Sequence, residues 1–207
     1  MHIVDGALSI PVLVAGSALA VAGIGLGLRR MPIDKIPAAG VLSATFFVAS
    51  LVHVPIGPSS VHLIVNGLAG LVLGWAAFPA LFVGLLLQAA FFGFGGLTVL
   101  GVNTVDVALP AVIVHYLCVP AITRSGPRAA AIWGSIGGAG AIALSAGCVA
   151  LVLALSGEEF VPAARLVILA HAPVMLIEGI LTGAAVFLAR KVKPELFVVF
   201  ATPARGV

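Results

Sequence analysis

A histidine stands in second place in the opening stretch MHIVDG, directly after the residue that carries the α-amino group. The Met1 amine, the deprotonated amide of His2 and the His2 Nδ1 atom can close a five-membered and then a six-membered chelate ring around one metal ion. One corner of a square plane is then left for a fourth ligand. An all-nitrogen planar site suits Ni(II) or Cu(II), and the general affinity order ranks Ni(II) above Co(II). A chance histidine in a disordered start is the competing interpretation.

Two further histidines are candidates to complete or surround this site. His62 follows the stretch PIGPSS and is a candidate for the vacant corner, and Asn66 lies four residues further on. That spacing predicts that His62 and Asn66 share one face of a helix. His53 is a candidate pocket residue, with a hydrogen-bonded position at the membrane edge as the alternative. The chain has few methionines and its cysteines lie in apolar runs, so it offers no sulfur cluster of the kind that selects Cu(I).

The composition predicts an integral membrane protein. Hydrophobic residues make up 62% of the 207 residues and charged residues only 8%, whereas soluble proteins average about 45–50% and about 25%. The net charge of +3 is therefore expected to mark the cytoplasmic side rather than a nucleic-acid surface. Frequent glycines suit membrane helices that pack closely through small residues.

Seven membrane-spanning segments are predicted, since a spanning helix needs roughly 17 to 25 mainly apolar residues. Pro79 is nearly the only separator between the third and the fourth. We expect one polytopic all-α domain over residues 1–207. The predicted spans cover residues 8–28, 38–55, 61–78, 80–93, 104–122, 129–155 and 163–189.

Charge distribution predicts an extracytoplasmic N-terminus and a cytoplasmic C-terminus. With seven spans, every basic residue except Arg165 falls on the cytoplasmic side, as the positive-inside rule favours. The outer face then holds Asp5, Glu158 and Glu159, which favour cations. It also receives His2, His53 and His62. The cytoplasmic basic residues are Arg29, Arg30, Lys35, Arg124, Arg128, Arg190, Lys191, Lys193 and Arg205.

Four more polar residues stand out in or beside the predicted spans. Glu178 is a carboxylate within the last span, where charged groups are costly and usually functional, and His171 precedes it by seven residues on the same helix face. A structural hydrogen bond and a role in conformational coupling remain equally open for this pair. Asn103 ends the glycine-rich stretch FGFGGLTVLGVN and Asp106 follows it; we expect this stretch to form either a re-entrant turn or a lid that orients His2 or His62.

Four stretches together carry a resemblance to a known family: MHIVDG, SSVHLIVNGLAG, LLQAAFFGFGGLTVLGVN and HAPVMLIEGILTG. In this order they resemble the CbiM/NikM family, the substrate-binding membrane (S) components of energy-coupling-factor (ECF) transporters for cobalt and nickel. The resemblance runs from Met1 to about Arg190. It implies a seven-helix S component of the prokaryotic plasma membrane, whose metal ligands are the Met1 amine, the amide and ring nitrogens of His2, and His62.

The resemblance also implies a carrier rather than an enzyme, with Ni(II) or Co(II) as the transported ion and no resident cofactor. The expected partners are a transmembrane coupling (T) component, cytoplasmic ATPases and, in many systems, a small accessory membrane protein. The chain itself has no phosphate-binding motif of the GxxxxGK[ST] type. A stand-alone proton-coupled metal transporter is the alternative. An intramembrane hydrolase built on Ser60 and His62 is disfavoured, because residues two apart on a helix do not face each other.

Overall fold

The computed structural model describes residues 3–51, 53–56 and 59–198, and the side chains of 53–56, 59–61 and 198 are not considered further. Met1, His2 and Arg205 lie outside this part of the chain. The architecture is a helical bundle with one small antiparallel hairpin. The helices are α1 (Ile10–Arg29), α2 (Ile36–Ala49), α3 (Asn66–Leu73), α4 (Ala77–Phe92), α5 (Leu100–Arg124), α6 (Pro127–Ser156), α7 (Val161–Val192) and α8 (Glu195–Val198), and the strands are β1 (His53–Ile56) and β2 (Ser59–His62).

Long apolar helices confirm that the protein crosses the membrane several times. Five stretches of the described residues are long and apolar enough to span a bilayer, by length and composition. One of them, Asn66–Phe92, comprises both α3 and α4. α2 is shorter, with 14 residues. The expectation of an all-α protein holds for the membrane helices, and the hairpin is an addition that the apolar pattern did not predict.

The predicted division between a third and a fourth span is present, but its position is different. α3 runs beside α5 in the same direction, since Gly70 lies against Ala111 and Gly74 against His115. Gly74 has φ +54° and ends α3, and α4 then returns toward the N-terminal segment. Pro79, the predicted separator, lies inside α4. A positive φ is available to glycine without steric cost, so Gly74 rather than Pro79 permits the reversal.

Small residues allow α3, α5, α6 and α7 to approach each other closely. A methyl group on Gly70 would collide with the backbone of Ala111 in α5. A methyl group on Gly67 would approach Gly138 in α6, and one on Gly138 would approach the Glu178 carbonyl in α7. These contacts confirm the expectation of glycine-mediated helix packing. They also bring the start of α3 next to the middle of α7.

The basic residues collect at the end of the bundle that lies opposite the N-terminal segment. Arg30 lies over the ring of Trp75, 5.6 Å from its centroid. Arg190 donates to the carbonyls of Thr123 and Ser125 at 3.3 and 2.9 Å. Within the described residues, the helix directions bring every lysine and arginine except Arg165 to this end. The segregation expected from the sequence is therefore present in the fold.

Candidate metal site

The N-terminal segment is held by the side-chain amide of Asn103, in the first turn of α5. The Ile3 amide donates to Asn103 Oδ1 at 2.9 Å, and Asn103 Nδ2 donates to the Ile3 carbonyl at 3.1 Å. Ile3 and Asn103 are both buried. Asn103 therefore fixes the backbone one residue from His2. Its predicted role around a metal remains a prediction, because Met1 and His2 lie outside the described residues.

The glycine-rich loop after α4 forms a second set of contacts with the same segment. The Asp5 amide donates to the Gly95 carbonyl at 3.0 Å, and the Thr98 hydroxyl donates to the Asp5 carboxylate. Gly96 has φ +130°, and a side chain there would collide with Asp5. The loop thus packs on the start of the chain, and its role as a lid that orients His2 or His62 stays a prediction.

His62 ends strand β2, and the prediction that it shares a helix face with Asn66 is wrong. Three residues separate the strand from α3, and Val65 among them has φ +57°, a left-handed value that is unusual for a β-branched residue. The proline and glycine of PIGP favour a hairpin turn over a continuous helix. His53 is the partner of His62 in the strand register, so these two predicted residues are neighbours across the hairpin backbone.

The ring of His62 is buried in its neutral form. Its Nδ1–H donates to the Leu63 carbonyl at 2.7 Å, which leaves the lone pair on Nε2 in this tautomer. The pKa of His62 is lowered to about 4, chiefly because burial disfavours the charged ring; the Leu63 contact offsets part of this, and the nearby His171 lowers it slightly. A neutral imidazole is the form that binds a transition metal.

Asn66 links the start of α3 to two other helices. Its Nδ2 atom donates to the Val107 carbonyl of α5 at 2.9 Å and to Ser145 Oγ of α6 at 3.0 Å. Val107 lies four residues after Asn103, about 6 Å along the axis of α5. The segment that follows His2 and the segment that follows His62 therefore meet adjacent turns of one helix. This convergence is the main geometric feature of the site.

Glu178 contacts the connection between His62 and α3. Its Oε1 atom accepts hydrogen bonds from the amides of Ile64 and Val65, at 2.6 and 2.7 Å. Glu178 is fully buried, as is His171. His171 Nδ1 donates to the Val167 carbonyl at 2.6 Å. The contact of Glu178 is thus with a loop backbone, which the sequence analysis did not predict.

Asp106, another residue predicted to lie near the metal, has no described hydrogen bond to the residues that surround His62. Asp106 is buried on α5, and its Oδ2 atom has no hydrogen-bond partner among the described residues.

The sequence did not indicate two residues that contribute contacts here, Ser145 and Thr98. Ser145 could have been noticed as a lone hydroxyl within an apolar stretch, whereas Thr98 gave no signal. Across the described ranges, no group of three or more His, Cys, Asp or Glu side chains could hold a metal.

Comparison with known proteins decides the family. The sequence model of the family CbiM, described as the cobalt uptake substrate-specific transmembrane region, matches residues 2–196. The chain belongs to the CbiM family. As a CbiM protein it is a membrane component of cobalt and nickel uptake and not an enzyme, so the hydrolase alternative is excluded.

Individual relatives of this CbiM chain agree with the family assignment. It is 43% identical to a putative metal transport protein of Haemophilus influenzae, over 95% of this chain and 96% of the relative. It is 30% identical to the putative fused nickel transport protein NikMN of Archaeoglobus fulgidus, over 99% of this chain and 70% of that protein. The crystal structure of a transition metal transporter matches with a TM-score of 0.74 and 26% identity, covering 100% of both chains.

Proposed function

We propose that this CbiM protein is the S component of an ECF-type transporter and captures Ni(II), with Co(II) as a second substrate. The proposed ligands are the Met1 amine, the amide and Nδ1 nitrogens of His2, and His62 Nε2. The observation that carries the proposal is the convergence at α5, where Asn103 holds the residue next to His2 and Val107 holds the start of the helix that follows His62.

The preference for nickel follows from the chemistry of the ligand set. Four nitrogen donors in one plane match the coordination that Ni(II) favours, and a thiolate is absent from the set. A cobalt ion would accept the same nitrogens but prefers more ligands or a different geometry. His53, Asn66, Asn103 and Asp106 are proposed to shape the surroundings of the ion rather than to bind it.

The proposed orientation puts the N-terminal segment outside and the basic end in the cytoplasm of a prokaryotic cell. The basic end carries Arg30, Arg124 and Lys191, in agreement with the positive-inside rule. Glu158 and Glu159 lie at the other end, after α6. The acidic outer end would raise the local concentration of divalent cations.

Release of the ion into the cell is proposed to need partners. A transmembrane T component and cytoplasmic ATPases would supply the energy, with a small accessory membrane protein in some assemblies. We expect uptake into vesicles only when these partners and ATP are present. Metal uptake by the purified chain alone, driven by a pH gradient, would instead support a stand-alone transporter.

Competition between Ni(II) and Co(II) for the purified full chain tests the choice of metal. We expect Ni(II) to displace Co(II) and to produce the absorption spectrum of a planar site. His62→Ala should abolish this spectrum. The control is His115→Phe, at a buried histidine of α5 that contacts the Gly70 carbonyl, and it should retain the spectrum. Equal occupancy with an octahedral or tetrahedral spectrum would contradict the nickel assignment.

A further inference from the structure

We infer that Glu178 is the positioning residue for His62, acting through the backbone of the loop that joins β2 to α3. The inference rests on the proposed function, because it concerns the geometry of the proposed fourth ligand. The carboxylate does not need to contact the metal for this role. Its contacts are the amides of Ile64 and Val65, two and three residues after His62.

The geometry of these contacts is that of a backbone anion site. Two consecutive amides point at a single oxygen, Glu178 Oε1, at 2.6 and 2.7 Å. Successive amides form anion sites of this kind in αR–αL or turn backbone, and Val65 of the same loop has φ +57°. The carboxylate therefore compensates a conformation that a β-branched residue does not favour.

Close helix packing brings the carboxylate within reach of the loop. Gly67 of α3 lies against Gly138 of α6, and Gly138 lies against the Glu178 carbonyl of α7. A side chain at either glycine would push the helices apart. Glu178 is fully buried, so water is not available to replace its hydrogen bonds to the loop. Since a carboxylate in this setting is costly without partners, loop and helix depend on each other.

The loop between β2 and α3 sets the position of the His62 ring. Its Nδ1 atom donates to the Leu63 carbonyl, so the ring direction is tied to the backbone that Glu178 holds one residue later. Metal sites are sensitive to groups that orient their ligands, and loss of such a group typically costs about 10- to 100-fold in affinity. Displacement of the loop should therefore weaken the metal site without removing any ligand.

Two conservative substitutions at position 178 distinguish the effect of side-chain length from the effect of side-chain charge. Glu178→Gln keeps the length of the side chain and an oxygen that can accept both amide hydrogens, but it removes the charge. Glu178→Asp keeps the charge but is one methylene shorter. Thr182→Ser, at a buried residue one turn further along α7, is the matched control. Ni(II) affinity and the absorption spectrum of the bound ion are measured on the full chain in detergent, together with its melting temperature.

We expect Glu178→Gln and Thr182→Ser to bind Ni(II) within about threefold of the parent and with its spectrum. Glu178→Asp should bind about tenfold or more weakly, with an altered spectrum, at temperatures where the chain is folded. The reverse order of the two Glu178 variants, or unchanged affinity and spectrum in Glu178→Asp, would overturn the inference. Failure of the parent to bind, or normal binding by His62→Ala, would instead refute the proposed function.

Discussion

Asn103 forms two hydrogen bonds with the backbone of Ile3, one as acceptor and one as donor, as a neighbouring β-strand would. Both residues are buried, so the first described residue of the chain is fixed to the first turn of α5. The proposed chelate begins immediately before this point. The side-chain amide is therefore expected to set the direction in which Met1 and His2 leave the bundle.

Replacement of Asn103 should weaken metal binding. In Asn103→Ala both contacts with Ile3 are lost, and the proposed N-terminal chelate would have to be ordered at the moment of binding, so we expect Ni(II) affinity to fall about tenfold or more. Calorimetric titration of the full chain measures the change. Gln88→Met is the control, because Gln88 is a buried amide with no hydrogen-bond partner for its side chain among the described residues. Equal affinities in both variants would refute a positioning role for Asn103.

Close contact between α3 and α5 should make Gly70 intolerant of a side chain. A methyl group there would collide with the Ala111 backbone, and overpacking of this kind costs about 1–3 kcal/mol. We expect Gly70→Ala to lower the melting temperature in detergent by several degrees. Gly147→Ala is the control, because it lies on an exposed face of α6 with open space around it. A melting temperature unchanged in Gly70→Ala would contradict the described packing.

Metal affinity should fall in acid solution. If the proposed ligands are correct, binding displaces protons from the Met1 amine and the His2 amide, and an α-amino group ordinarily titrates at about pH 8. His62 contributes little to this dependence above pH 6, because its pKa is lowered to about 4 by burial. We therefore expect affinity to fall about tenfold or more per pH unit between pH 8 and pH 6. Titrations across this range that give one constant affinity would exclude the amine as a ligand.

Several features of this fold follow from local sequence patterns. Apolar length predicts the long helices, and the distribution of basic residues predicts the common end at which Arg30 and Arg190 lie. Glu178 is conspicuous because a carboxylate in an apolar run needs a partner. Each of these features depends only on residues close together in the chain and on whether they face lipid or water, so they can be predicted from the sequence alone.

The contacts that build the candidate site depend on residues far apart in the chain. Asn66 was placed on a helix with His62 because a spacing of four suggests one face, but His62 ends strand β2 and the left-handed Val65 lies between that strand and α3. Glu178 reaches amides more than one hundred residues away. These long-range contacts form only because glycines let the helices pack closely, and no local sequence pattern specifies which helices pack together.

The central claim, that the Met1 amine binds the metal, is tested most directly by one extra residue before Met1. The extension moves the amine out of the chelate while leaving His2, His62 and the bundle unchanged. Calorimetry with Ni(II) compares this chain, its mass verified, with the parent and with a chain extended by one residue at the C-terminus. We predict one tightly bound ion for the parent and the C-terminal extension, and at least about a hundredfold loss for the N-terminal extension. Binding of Ni(II) with parental affinity by the N-terminally extended chain would contradict the account.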